Sequence, residues 1–171
     1  IWILPEDTPV GIDFIEYGLL KDSILDVAIL PNRGDCMSVF GLAREISVIL
    51  NKPLKKPDTE IKTSSLKFPI TLDVEATDLC PFYSARWIEN LKEAPTPLWM
   101  RRRLELSGIR ALQLYIDITN YVLLELGQPL HAFDAPELKD NKIGVRESKA
   151  GETFTTLDEI NRTLQIGRAH V

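Results

Sequence analysis

The residues best suited to chemistry fall in one stretch, DITNYVLLELGQPLHAFD, at positions 117–134. It places His131 directly after Pro-Leu, in a chain with only 2 histidines. A neutral imidazole in a loop can orient water or a ribose hydroxyl, or pass a proton. Thr119 and Asn120 add a hydroxyl and an amide, both able to hold water or a polarised carbonyl. If a strand ends there and a short helix begins, free backbone N–H groups make the same point receptive to anions and carbonyl oxygens. A plainer reading is that Thr119 and Asn120 only cap a helix while His131 satisfies a loop carbonyl. The residue types leave both readings open.

The elements around that stretch are read from periodicity. Leu112, Leu114, Ile116 and Ile118 alternate with polar neighbours, which predicts a strand leading into Thr119–Asn120. YVLLEL then follows as a short helix closed by Gly127. Upstream, APTPLWMRRRLELSGIR predicts a helix with Thr96 as cap, Pro97 in the first turn and Gly108 at a left-handed C-terminal position. Arg101, Arg102 and Arg103 invite an RNA-binding reading. Consecutive helical residues point about 100° apart, so three arginines cannot share one face, and structural ion pairing is favoured for some of them.

Nearer the N-terminus, Ile24–Leu30 alternates as a largely buried strand, broken by Pro31-Asn32-Arg33-Gly34. Asp35 is the expected cap of a helix whose core stripe is Val39, Leu42, Ala43, Ile46, Ile49 and Leu50, ended by Asn51 and Pro53. Arg33-Gly34-Asp35 is better explained by this turn and cap than by cell adhesion. A polar, proline-bearing linker follows. Strands are expected over 68–74 and within DLCPFYSARWIENL, and a strand, a Gly-Glu turn and a hairpin around Asp158–Asn161 near the end.

Composition narrows the classes. The 171 residues are 44% hydrophobic, enough for a sizeable core. No apolar run is long enough to span a membrane, and no secretory signal is legible. Two cysteines without metal-ligand spacing suit a reducing cytoplasm, and with His131 they cannot assemble a local zinc site. A net charge of −5 argues against broad nucleic-acid binding while leaving room for a local RNA contact. Phosphate-cradling glycine motifs and G-x-S-x-G are absent from the sequence. The chain opens on Ile1 inside an extended apolar stretch and reads as an excerpt of something longer.

Six ordered blocks, LPEDTPVG, LPNRGDCMSVFGLAREI, YSARWI, RRRLELSGIR, DITNYVLLELGQPLHAFD and GETFTTLDEINRTL, together resemble the β subunit of bacterial-type phenylalanyl-tRNA synthetase. The resemblance implies an α/β or α+β fold: a mixed β-sheet with packed helices, preceded by a strand-helix remnant of a small α+β domain. Residues 1–54 would be the C-terminal part of a B1-like domain, 55–57 a linker, and 58–164 the N-terminal part of a B3/B4-like editing domain. Residues 165–171 depart from the family pattern and read as a foreign tail.

The resemblance also implies a function. The parent attaches phenylalanine to tRNA(Phe) with ATP and Mg, as an α2β2 cytoplasmic assembly. This region carries part of the site that hydrolyses mischarged tyrosyl-tRNA(Phe). His131, Thr119 and Asn120 fall on the family's catalytic positions and Arg110 on a position that binds the tRNA 3′ end. No metal or cofactor is implied for the segment itself. The family completes its pocket with a later glycine-rich loop and a glutamate, beyond the residues in this sequence. The rival reading is a structural or tRNA-binding segment without hydrolytic activity of its own.

Overall fold

The computed structural model describes residues 3–61, 67–156 and 158–164. Backbone contacts divide the chain into two compact units. One combines Ile1–Ile61 with Leu91–Ala132, and the other combines Lys62–Asn90 with Phe133–Val171.

The first unit is helical. A single-turn helix, α1 (Phe14–Tyr17), is capped by Asp13, whose carboxylate accepts from Ile15 N at 2.8 Å. Residues 21–30 follow without regular secondary structure and join no sheet among the described residues. The expected buried strand is therefore corrected: Leu25 is 78% exposed, and among the described residues no strand pairs with this segment. Alternation supplies an apolar face, but a strand also needs a ladder partner for its N–H and C=O groups.

A 3-10 turn at Gly34–Cys36 leads into α2 (Val39–Ile49). Ser38 is the cap, accepting from Gly41 N at 3.0 Å, so the expectation that Asp35 caps this helix is wrong. Arg33 takes the Asp35 carboxylate instead, with Nε to Oδ1 at 3.0 Å and Nη2 to Oδ2 at 2.9 Å. Of the predicted stripe, Leu42 and Ala43 are half-buried, whereas Ile46, Ile49 and Leu50 are exposed. Asn51 closes the helix in a left-handed conformation (φ 48), with Lys52 N donating to Ser47 O at 2.9 Å.

The core of this unit lies between α3 (Leu98–Leu106) and α4 (Leu114–Leu126). Met100 and Leu104 of α3 are buried, and so is Asp117 of α4. Trp99 and Tyr121 meet edge to face with ring centroids 5.3 Å apart. Pro97 precedes α3 without a side-chain cap, and the Thr96 hydroxyl donates to Asp117 rather than capping as expected. Gly108 is left-handed (φ 80), and Ile109 N donates back to Leu104 O at 2.9 Å.

The largest correction concerns 112–118. The predicted strand does not form, and Leu114–Leu126 is one continuous helix. Leu114, Asp117, Tyr121 and Leu124, spaced three or four apart, are buried or half-buried, while Ile116, Ile118, Leu123 and Leu126 are exposed. Seven residues of alternation are also compatible with helical spacing when Leu114 and Asp117 are followed by Tyr121 and Leu124 on the same stripe. Packing against α3 selects the helix.

The second unit holds the strands. β1 (Thr71–Val74) pairs in parallel with β2 (Lys142–Val145), Thr71 opposite Lys142 and Val74 opposite Val145. The pairing runs on as Glu75 N donates to Val145 O at 2.8 Å. β3 (Thr153–Thr155) and β4 (Asn161–Thr163) form the antiparallel hairpin expected around Asp158–Asn161. Gly151, with φ 78, makes the predicted turn before it. The strand expected within 78–91 is absent; that stretch is irregular. Helices, a parallel pair and an antiparallel pair thus coexist, as a mixed α/β class requires.

Candidate functional site along α4

The four residues singled out from the sequence lie on or beside α4, within the first unit. Arg110 sits in the short segment between Gly108 and the start of α4, and is exposed. Thr119 and Asn120 are half-buried in the middle of α4, not at its start. Their backbone N–H groups therefore belong to the helical ladder, and the free N–H end expected at Thr119–Asn120 does not exist. The Thr119 hydroxyl donates to Ile116 O at 2.7 Å, which leaves its oxygen lone pairs available as acceptors. His131 is exposed in the segment that follows Gly127, which ends α4 in a left-handed conformation (φ 77).

Leu112 is positioned by a device that periodicity did not reveal. Asp117, with none of its surface exposed, accepts from Thr96 Oγ1 at 2.5 Å through Oδ2 and from Leu112 N at 2.8 Å through Oδ1. A buried carboxylate persists only when its oxygens are satisfied, and here two donors from outside α4 reach it. The sequence carried a signal for this. Read at helical rather than strand spacing, Asp117 falls on the core-facing stripe and demands partners.

The arginine triplet is largely absorbed by structure. Arg101 Nε and Arg102 Nη1 both donate to the Glu105 carboxylate, at 2.8 and 2.9 Å. Those contacts, Arg101 foremost, hold the Glu105 carboxyl below its ordinary value. Arg103 donates to the Tyr121 hydroxyl at 2.6 Å and lies 5.3 Å from the Trp99 ring centroid. Beside α3 is an open depression of about 270 Å³ whose lining includes Lys21, Asp22, Trp99, Arg102 and Arg103. None of Arg110, Thr119, Asn120 and His131 lines it.

Asp35, Cys36 and Glu45 bring possible metal-ligand atoms within 4.8 Å of one another. The Arg33 guanidinium already serves that cluster, 2.9 Å from Asp35, 2.8 Å from Glu45 and 3.1 Å from Cys36 Sγ. It holds the Asp35 carboxyl down to about 2, while burial pushes the Cys36 thiol up. A fixed cation in the middle of the donor set makes this a structural clasp.

The B3/4 domain family matches residues 79–169, more than half of the chain. The chain belongs to that family. It is also similar to proteins named phenylalanine–tRNA ligase β subunit. It is 49% identical to the one from Bdellovibrio bacteriovorus over 92% of its own length and 20% of that protein. The β subunits from Syntrophus aciditrophicus and Geobacillus kaustophilus are each 45% identical over 96% of the chain and 21% of theirs. The chain therefore spans about a fifth of the length of the curated relatives it matches. No helix among the described residues is long and apolar enough to cross a membrane.

Proposed function

We propose that this B3/4 chain is a segment of a phenylalanine–tRNA ligase β subunit, and that α4 with its two flanks forms part of a site that hydrolyses tyrosyl-tRNA(Phe). The observation that carries the reading is identity of 45–49% sustained over 92–96% of the chain to proteins of that name. On this reading residues 1–54 close a B1-like domain, 55–57 link it, and 58–164 open the B3/B4-like editing domain, whose family match runs on to residue 169. The parent is a cytoplasmic ligase that charges tRNA(Phe) using ATP and Mg, together with an α subunit in an α2β2 assembly. On this reading ATP and Mg act mostly on the α subunit, as the family resemblance implies.

The reaction is ester hydrolysis. Water adds to the aminoacyl carbonyl, the carbon–oxygen bond to the terminal ribose breaks, and the ribose hydroxyl leaves with a proton. Arg110, exposed and able to offer a planar fork of donors, binds the phosphate or adenosine of the tRNA 3′ end. Thr119 accepts a hydrogen bond from the water through the lone pairs its Ile116 bond leaves open, and Asn120 donates to the carbonyl oxygen. His131 positions water and the ribose hydroxyl rather than acting as a strong base. A glycine-rich loop and a glutamate from elsewhere in the subunit complete the pocket and read the tyrosine hydroxyl.

The test is deacylation of preformed tyrosyl-tRNA(Phe) by the full β subunit with its α partner, beside the His131→Ala form. Loss of hydrolysis with His131→Ala supports the reading. Equal rates in the two forms remove it. A second reading, a tRNA-contacting or structural segment without hydrolytic activity, draws on the exposure of both Arg110 and His131. It takes over if tyrosyl-tRNA(Phe) is bound and never hydrolysed.

A further inference from the structure

We infer that Asp117 is a positioning residue that sets the place of Arg110 relative to Thr119 and Asn120, an inference that rests on the function proposed above. Three observations carry it. Asp117 is completely buried although ionisable, beside the buried apolar side chains of Met100 and Leu104. Its two oxygens reach separate segments, Thr96 ahead of α3 and Leu112 ahead of α4. The segment it pins is the one that carries Arg110.

Consider that segment by itself. At its upstream end, α3 is closed by Ile109 N bonding to Leu104 O at 2.9 Å, immediately before Arg110. At its downstream end Leu112 N bonds to Asp117 Oδ1 at 2.8 Å, two residues after Arg110. The arginine is therefore held between two fixed amides, one tied to α3 and one to α4. On α4, Asp117 lies two and three residues before Thr119 and Asn120, so a rigid turn of helix connects the anchor to the proposed water-holding groups. Thr96 fastens the same carboxylate to the start of α3, whose Leu104 is also completely buried. Binding groups must stay within a fraction of an ångström of their working place, and a locked backbone achieves that better than a long side chain can alone.

The chemistry of the anchor supplies its own control. An asparagine at 117 keeps the shape: its Oδ1 accepts from Leu112 N, and its Nδ2 donates to the Thr96 hydroxyl, which can turn to accept. Alanine removes both links. Thr96→Val removes one link and leaves the Leu112 bond.

The experiment measures single-turnover hydrolysis of tyrosyl-tRNA(Phe) by the full β subunit with its α partner, resolving maximal rate from the half-saturating concentration. Circular dichroism follows the fold of each variant. Asp117→Ala is expected to raise the half-saturating concentration about tenfold, the loss of one charge-assisted contact, and to lower the maximal rate by less than about threefold. Arg110→Ala should give the same pattern, and the double variant should be no worse than either alone, because a displaced arginine has nothing left to lose. Asp117→Asn should restore the wild-type half-saturation.

Multiplicative effects of Asp117→Ala and Arg110→Ala would overturn the inference. So would an Asn variant as impaired as the Ala variant. If Asp117→Ala loses helical signal, the decision passes to Leu112→Pro, which removes the amide N–H that Asp117 holds beside Arg110 and must raise the half-saturating concentration with its fold intact; an unchanged value overturns the inference. A wild type that loses hydrolysis with His131→Ala but ignores Asp117→Ala removes this inference alone. A wild type that never hydrolyses the ester removes the proposed function and this inference with it.

Discussion

Ile24–Leu30 and Leu112–Ile118 both read as seven-residue strands in the sequence, the first apolar on both faces except at Asp26 and the second apolar on one face, yet they end in different backbones. The first has no regular secondary structure and joins no sheet among the described residues; most of the second is the opening of helix α4. What separates them is what each can reach. Leu112–Ile118 lies beside α3, where Leu104 is fully buried and Thr96 offers a hydroxyl to Asp117. Ile24–Leu30 finds no ladder partner, so Leu25 and Leu30 stay in solvent. Alternation states which side chains could share a face. The partner decides whether the face exists.

That contrast is broken most directly at Leu104. Leu104→Ala empties the seam that selects the helix and should cost about 3 kcal/mol, read as a lowered urea midpoint with an unchanged m-value. Gly127→Ala is next. Its φ of 77 is a left-handed conformation that alanine adopts at a cost of about 1 kcal/mol, and the α4 terminus should fray in amide exchange. On the other side of the comparison, Leu25→Ser should change stability by less than about 0.5 kcal/mol, since the side chain is already in water. A loss as large as that of Leu104→Ala would mean that this strand is paired after all.

The smallest effect lies in the strand-bearing unit, where charge rather than burial does the holding. Arg146 grips Glu152 with two hydrogen bonds, at 2.9 and 2.7 Å, and with help from Lys149 N holds its carboxyl down to about 2. A carboxylate with a depressed folded value contributes stability above its ordinary value, near 4.5, and loses it as pH falls towards about 2. Carbon-detected NMR titration should find the Glu152 midpoint near that low value in the native protein and close to the ordinary one in Arg146→Ala. Salt should weaken the pair, as it does for exposed ions.

Local grammar was legible wherever one residue type has one physical use. Gly108 and Gly127 are left-handed closers, Asn51 ends α2, and the turn before the terminal hairpin falls on Gly151. Errors arose where the outcome is set at a distance. Asp35 was as good a cap as Ser38 by type, but Arg33 claims its carboxylate. Thr96 was a sound cap by position, but Asp117 claims its hydroxyl. The candidate site divides in the same way. His131, Thr119, Asn120 and Arg110 were named through a family resemblance, whereas the local argument for a free helix start at Thr119 failed because α4 begins earlier. Asp117 is inconspicuous in the sequence because an aspartate on the polar face of a strand needs no explanation, whereas one on the inner face of a helix does.

The parallel pairing of β1 with β2 has a consequence for how the molecule is made. Thr71 meets Lys142 across about 70 intervening positions, and those include all of α3 and α4. During synthesis at about 5–20 residues per second, β1 leaves the ribosome several seconds before its partner has been translated. The helical pair can close in that interval, from contacts near in sequence, while the strand waits with its edges open. The order of assembly is thus written into the chain's itinerary: helices first, and the sheet only when the polypeptide returns.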